Sequence, residues 1–349
     1  MQNRISMNSS SNYIFCLNNE ALEQVVESHH TQTPETISHA GLEPPSCPPI
    51  DEACTLTQHR YSLQALEQVL ESLKHSLSNT PRDTEPETWA SLQQDQGIVL
   101  AALGQHRHDP ALLTEAVDAL EQALETTRAR RDDQSAEATI QTHLGAALLA
   151  QGLLEQDIQP LKRAADAYTE ALKALSRDEA PFDWAAAMHN LGIVFHAQGK
   201  LLKGHRMFEK SVAAYKNALA AWSLEDTPKQ WAMSQNNRGA ALQNLAEREQ
   251  NPGRMEEAIR AYEKTLKLWL EQVLPMHMAA RTTLNLAISR IHLAELARDR
   301  TAAELAIDDL TRVTEIYHAT CGPDYLALGQ QQMDRATALF NELADTPAT

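Results

Sequence analysis

A short pattern returns along this chain at a nearly constant interval. It reads Trp184-Ala185 followed by Asn190-Leu191-Gly192, then Trp231-Ala232 with Asn237-Arg238-Gly239, and earlier Trp89-Ala90 with Asp95-Gln96-Gly97. Weaker copies keep a small residue at the same place, as Leu144-Gly145 and Leu286-Ala287. The small residues at 97, 145, 192, 239 and 287 are separated by 48, 47, 47 and 48 positions. A period this long and this regular means one supersecondary unit used repeatedly, each copy burying its apolar face against the next. The chain is thereby bound to a stacked array before any single element is assigned.

The second half of each unit carries a matching pattern. A small residue (Ala116, Ala164, Ser211, Ala258, Ala306) lies 19 positions after the first small residue in every unit. Four positions later comes a bulky one, Leu120, Tyr168, Tyr215, Tyr262 or Leu310, and three further on Ala123, Ala171, Ala218, Thr265 or Val313. Spacings of four and three keep these on one helix face, small alternating with large so that facing helices interlock. Pro86, Pro181 and Pro228 each precede a Trp by three residues, the place of proline in the first turn of a helix. Gly97, Gly145, Gly192 and Gly239 then fall in mid-helix, which calls for close helix–helix approach and not for a phosphate loop. The tryptophans read as inter-repeat packing, with an aromatic ligand platform as the other possibility. Few Gly or Pro between 89 and 320, and many strong helix formers, make an all-α chain.

Charge and composition exclude several functions. A formal net charge of −17 is the wrong sign for a nucleic-acid surface or an anionic membrane. No apolar run approaches the ~20 residues of a membrane-spanning helix. Met1 to Cys16 has one Arg and no apolar core, so it does not read as a secretory signal. Four irregularly placed cysteines suit a reducing cytoplasm better than a disulfide framework.

In order, residues 1–54 form an acidic arm rich in proline, with one short amphipathic helix candidate from Glu20 to Ser28. Residues 55–85 hold a capping helix, apolar at Leu63, Leu66, Val69, Leu70, Leu73 and Leu77, and a linker. Five helical hairpins occupy 86–323 and are expected to stack as one right-handed superhelix. Residues 324–349 close the array with a helix that is polar along Gln330, Gln331, Asp334 and Arg335.

Leu191-Gly192 followed by Ser211, Tyr215 and Ala218, with equivalents in the other units, resembles the tetratricopeptide repeat. That family's usual unit has 34 residues; the longer interval here adds roughly one turn to each helix and leaves the buried faces in register. The Trp-Ala start and Asn-Leu-Gly core are similar to a long bacterial variant of the repeat. The resemblance implies a TPR-like α-solenoid of antiparallel hairpins. It also implies binding along a concave groove lined by the first helix of each hairpin.

In peptide-binding relatives, the positions just before the Gly hold an extended peptide backbone. Here they carry His143, His189, Asn190, Asn236, Asn237 and Asn285, with His196, Gln243, Asn244 and His292 one or two turns further along. Asn is a poor helix former, so its recurrence needs a cause: either a peptide ligand or a ladder of amides bonding between neighbouring helices. Arg238 and Arg281 are the nearby cations able to grip a partner's carboxylate, and the lysine-arginine pair of chaperone-binding relatives is lacking.

The fourteen histidines show no metal-ligand spacing, and no Ser/His/Asp or Cys/His arrangement is apparent, so no cofactor, metal or catalytic residue is expected. The leading expectation is a non-enzymatic scaffold for a neutral or basic protein or peptide, with the oligomeric state open. A sensor binding a small molecule within the solenoid is the alternative. An enzyme with a site built from groove histidines and acids is a third.

Overall fold

The computed structural model describes residues 24–26, 28, 63–130, 134–202, 204–271, 276–320 and 323–344; the side chains of 276, 277, 316–320 and 323–325 are excluded. Among these residues every regular element is a helix. In order they are α1 (Leu63–Asn79), α2 (Pro86–Arg107), α3 (Pro110–Arg130), α4 (Gln134–Glu155), α5 (Ile158–Ala174) and α6 (Pro181–Leu201). There follow α7 (Arg206–Ala218), α8 (Pro228–Glu249), α9 (Pro252–Glu271), α10 (Met276–Ala297), α11 (Arg300–Thr320) and α12 (Pro323–Ala344). They fall into two compact units, α1–α6 and α7–α12, which divide between Lys203 and Gly204. Within each unit, successive helices pack against one another and first helices of neighbouring hairpins also touch, α2 with α4 and α8 with α10. This is the antiparallel hairpin stack of a TPR-like solenoid.

Most of the acidic arm lies outside the described residues, as do 55–62. Within it, 24–26 and 28 are helical with Val25 and Val26 buried, at the place of the short amphipathic candidate.

Local chemistry sets the hairpin turns. At the end of the first helix stands a residue with left-handed backbone: His108 (φ 51°), Gln156 (φ 51°), Gln250 (φ 52°) or Arg298 (φ 56°). Next comes Asp109, Asp157, Asn251 or Asp299, whose carboxylate or amide oxygen accepts from a backbone N–H in the first turn of the following helix. A left-handed residue that ends one helix and an Asx that caps the next fix the reversal in two positions. The third hairpin departs from this rule. Gly204 stands where the capping Asx would be, and α7 is only 13 residues long.

The small-against-bulky pairing read from the sequence holds the hairpins together. A Cβ added at Gly145 would lie 2.9 Å from the Tyr168 ring, one at Gly239 would lie 2.9 Å from Tyr262, and one at Gly97 would lie 2.6 Å from Leu120 Cγ. Tyr168, Tyr215 and Tyr262 are fully buried. A second contact, not read from the sequence, lies two turns on, where Gly104 meets Leu113 and Gly152 meets Leu161. The tryptophans that open the first helices are half-buried, with the Arg82 guanidinium 4.9 Å above Trp89 and that of Arg177 5.7 Å above Trp184. That geometry is packing reinforced by cation–π attraction.

First helices are enclosed around most of their circumference. In α8, Ala232 to Asn237 and Gly239 to Gln243 are all buried. Second helices are buried along one stripe only, as in α9 through Met255, Ala258, Ile259, Tyr262 and Thr265. Polar residues on a first helix therefore meet protein more often than water.

Two outcomes check this account. Gly145→Ala should destabilise by about 1–3 kcal/mol through overpacking on Tyr168, whereas in a Tyr168→Ala background the same change should be neutral or stabilising, because Ala is the better helix former. Equal losses in both backgrounds, read from urea unfolding, would show that the two residues do not meet. Gln156→Gly should raise stability by about 1 kcal/mol, since glycine adopts the left-handed backbone without the ~1–2 kcal/mol steric penalty; a lowered urea midpoint would contradict it.

Candidate functional site

Eight of the ten side chains singled out from the sequence are buried: His143, His189, Asn190, His196, Asn236, Asn237, Gln243 and Asn285. Asn244 and His292 are half-buried. In the second unit several of them bond to protein. Thr282 on α10 donates its hydroxyl to Asn236 Oδ1 on α8 at 3.1 Å. Ser289 on α10 and Tyr262 on α9 both donate to Gln243 Oε1, at 3.0 and 3.4 Å, so one amide ties three helices together. Asn244 turns back to its own helix, donating to the Ala240 carbonyl at 2.8 Å. In the first unit, Gln198 on α6 donates to the Leu161 carbonyl on α5 at 3.0 Å. At Asn236 and Gln243 the amides bridge helices. Arg281 is enclosed, its two Nη atoms lacking an acceptor, and Arg238 is half-buried.

The polar network leads outward from Gln243 to a recess. Gln243 Nε2 donates to Glu247 Oε1 at 3.0 Å, one turn along α8. His292 Nδ1 on α10 lies 2.6 Å from the same oxygen. The distance is that of an ion pair, but the N–H direction misses the oxygen and no aligned hydrogen bond forms. Burial pushes the Glu247 carboxyl up; the contacts with His292 and Gln243 and the charge of Arg335 outweigh that and hold it below its ordinary value.

Around this pair opens a recess of about 490 Å³. Glu247 and Gln250 from the end of α8 form one side, His292, Glu295 and Leu296 from α10 the second, and Gln331, Gln332 and Arg335 from α12 the third. Arg335 grips Glu295 with two bonds, Nε to Oε1 at 2.9 Å and Nη2 to Oε2 at 2.7 Å. Gln332 is 8% exposed, and its Oε1 has no donor. His292, Gln331 and Arg335 were legible from the sequence as polar positions. Glu247 and Gln332 were not, although Glu247 follows Gln243 by four residues and so shares its face.

The family model for the tetratricopeptide repeat matches residues 184–221. That segment opens on Trp184 and carries Leu191-Gly192, Ser211, Tyr215 and Ala218. That segment is a tetratricopeptide-type repeat. Among solved structures, BtubC (BKLC) from P. vanneervenii is similar at 19% identity and a TM-score of 0.48, over 82% of this chain and 94% of that one. A Rap protein complexed with Competence and Sporulation Factor is similar at 14% identity and a TM-score of 0.41, over 81% of this chain and 72% of that one. No curated protein matches the chain.

Among the described residues, no helix is long and apolar enough to cross a membrane. One trio of donor groups, His205, Glu209 and Glu249, has ligand atoms within 4.8 Å of one another. Arg254 Nε sits 2.5 Å from Glu249 Oε2, so that carboxylate already has a counter-ion.

Two histidines of the first unit make its stability depend on pH. Burial lowers His143 to about 4. Burial, with the charge of Lys200, lowers His196 to about 3. The unfolded imidazoles titrate near 6.5, so between that value and the folded ones the unfolded chain binds more protons. Stability is therefore complete above about pH 6.5 and is lost as pH falls toward the folded values, by up to ~1.4 kcal/mol per pH unit for each imidazole. His196→Gln should flatten the slope of unfolding free energy between pH 7 and 5 by about 1 kcal/mol per unit. An unchanged slope in urea titrations would mean that the imidazole reaches solvent.

Proposed function

We propose that the protein is a non-enzymatic scaffold that binds a segment of a protein partner on the polar face shared by α8, α10 and α12. The observation that carries this reading is the recess itself: three alternate helices each contribute acceptors or donors to one open, polar depression. Amides and carboxylates set along a face suit an extended backbone, whose N–H and C=O groups pair with them one by one. A recess of about 490 Å³ also has the size of a small-molecule pocket. Such pockets are mostly apolar, however, and Leu296 is the one apolar residue lining this one.

In this reading residues 86–323 supply the five repeats, 55–85 and 324–349 cap them, and 1–54 form an acidic arm. The net charge of −17 favours a neutral or basic partner, and the sparse cysteines favour a cytoplasmic setting. The buried Asn and His positions of the first helices hold the hairpins, and the contact with the partner lies at their C-terminal ends.

The test separates the two roles. Gln250 and Gln331 are exposed at the rim. Replacing both with Ala should leave folding within about 0.5 kcal/mol and weaken a partner co-purified from the native cell by roughly tenfold, at ~0.5–1.5 kcal/mol per lost bond. Asn236→Ala should instead lower stability by about 1 kcal/mol through the lost bond to Thr282, whose hydroxyl keeps the Met278 carbonyl as acceptor. Calorimetric titration beside thermal melts reads both; unchanged affinity in the rim variant would remove this face from binding.

A further inference from the structure

We infer that the segment around Val25 and Val26 is a tethered ligand of the α1–α6 unit. It is a short amphipathic helix that fills an apolar docking face there and yields it to a competing helix of the same chemistry. The inference is independent of the recess in the other unit.

The first observation is burial. Val25 is 4% exposed and Val26 is 2% exposed, whereas Gln24 and Ser28 beside them are exposed. The backbone is helical there, and Ser28 Oγ donates to the Val25 carbonyl at 3.0 Å. Adjacent residues on a helix diverge by about 100°, so the two valines do not cover each other. Other residues of their compact unit, which is that of α1–α6, enclose them. The sequence extends the same face. Ala21, Leu22, Val25 and Val26 fall on one side of a helix, with Glu20, Glu23, Gln24 and Glu27 on the other.

Length supplies the second observation. Glu20 to Ser28 is nine residues, and isolated helices shorter than ~12–15 residues are marginal in water. The helical backbone is therefore a consequence of docking, and release of the valines returns the segment to coil. Between this segment and α1 lie positions 29–62, thirty-four residues that include Pro34, Pro44, Pro45, Pro48 and Pro49. Closing a loop of that length costs little more than closing a shorter one. A tethered copy then competes at an effective concentration on the order of 1 mM. Two valines that must also order a helix make a weak ligand in free solution; attachment to the chain is what keeps the face filled. The same arithmetic makes the segment replaceable. A helix that offers more apolar side chains at this spacing displaces it.

The test uses the full chain and a fluorescent peptide spanning Asn18 to His30. The peptide should bind the Val25→Asp, Val26→Asp double variant at least tenfold more tightly than the unaltered chain, whose own segment competes. A peptide carrying the same two aspartates should bind neither. Raising salt to about 0.5 M should leave the binding in place, because the contact is apolar and not a charge pairing. Equal binding to both chains, or none to the folded double variant, would overturn the inference.

A second measurement needs no variant and stands if the double variant fails to fold. In the unaltered chain, the amides of Val25 and Val26 should exchange with deuterium at least tenfold more slowly than in the free peptide. Equal exchange rates would show that the segment is not docked. Sedimentation at rising concentration tests whose unit is occupied. A dimer that forms in the unaltered chain and is lost in the double variant would place the segment on a second copy and overturn the intramolecular assignment.

Discussion

The contact between a small residue of one helix and a large residue of its hairpin partner sets the spacing on which the rest of each unit depends. At Gly145 and Gly239 there is no room for a methyl group beneath the Tyr168 and Tyr262 rings. Glycine in mid-helix is intrinsically unfavourable by roughly 1 kcal/mol, so its presence marks positions where closeness matters more than local propensity. In the first two hairpins a second close contact lies two turns on, where Gly104 meets Leu113 and Gly152 meets Leu161. The left-handed residue and capping Asx then follow as the shortest way to reverse the chain between two such helices. The tyrosine hydroxyl extends this contact to the recess, because Tyr262 donates to Gln243, and Gln243 in turn donates to Glu247 at its edge.

Much of this was legible in the sequence, because each element repeats and chance matches do not keep a constant register. The hairpin boundaries, the mid-helix glycines and the burial of the tyrosines all follow from spacing. The polar positions were less legible. Asn236, Gln243 and His196 sit on first helices, and a linear pattern shows that such residues share a face without showing what that face meets. First helices are enclosed on most sides, so an amide placed there finds Thr282 or Ser289 before it finds solvent. The recess was harder still, since Glu247 and His292 come from two repeats and Gln332 from the last helix, and no local motif joins them. Only the stacking of α8, α10 and α12 brings them to one place.

Burial also changes what the histidines do. His143 and His196 cannot act as surface proton carriers near neutral pH, because desolvation keeps them uncharged well below it. His292, by contrast in position, is half-buried beside the Glu247 carboxylate on the wall of an open depression.

The packing of each helix against its immediate successors has a kinetic meaning. In both units the contacts join helices that adjoin in sequence or are separated by one other helix. Forming them closes only short loops, so little chain entropy is lost before contacts begin to stabilise. A hairpin such as α4–α5 meets its partner within about one repeat of chain, so folding can begin at any hairpin and spread to its neighbours. During synthesis, early hairpins can therefore consolidate while later ones are still being made, which limits the time that their apolar faces stay open to other chains.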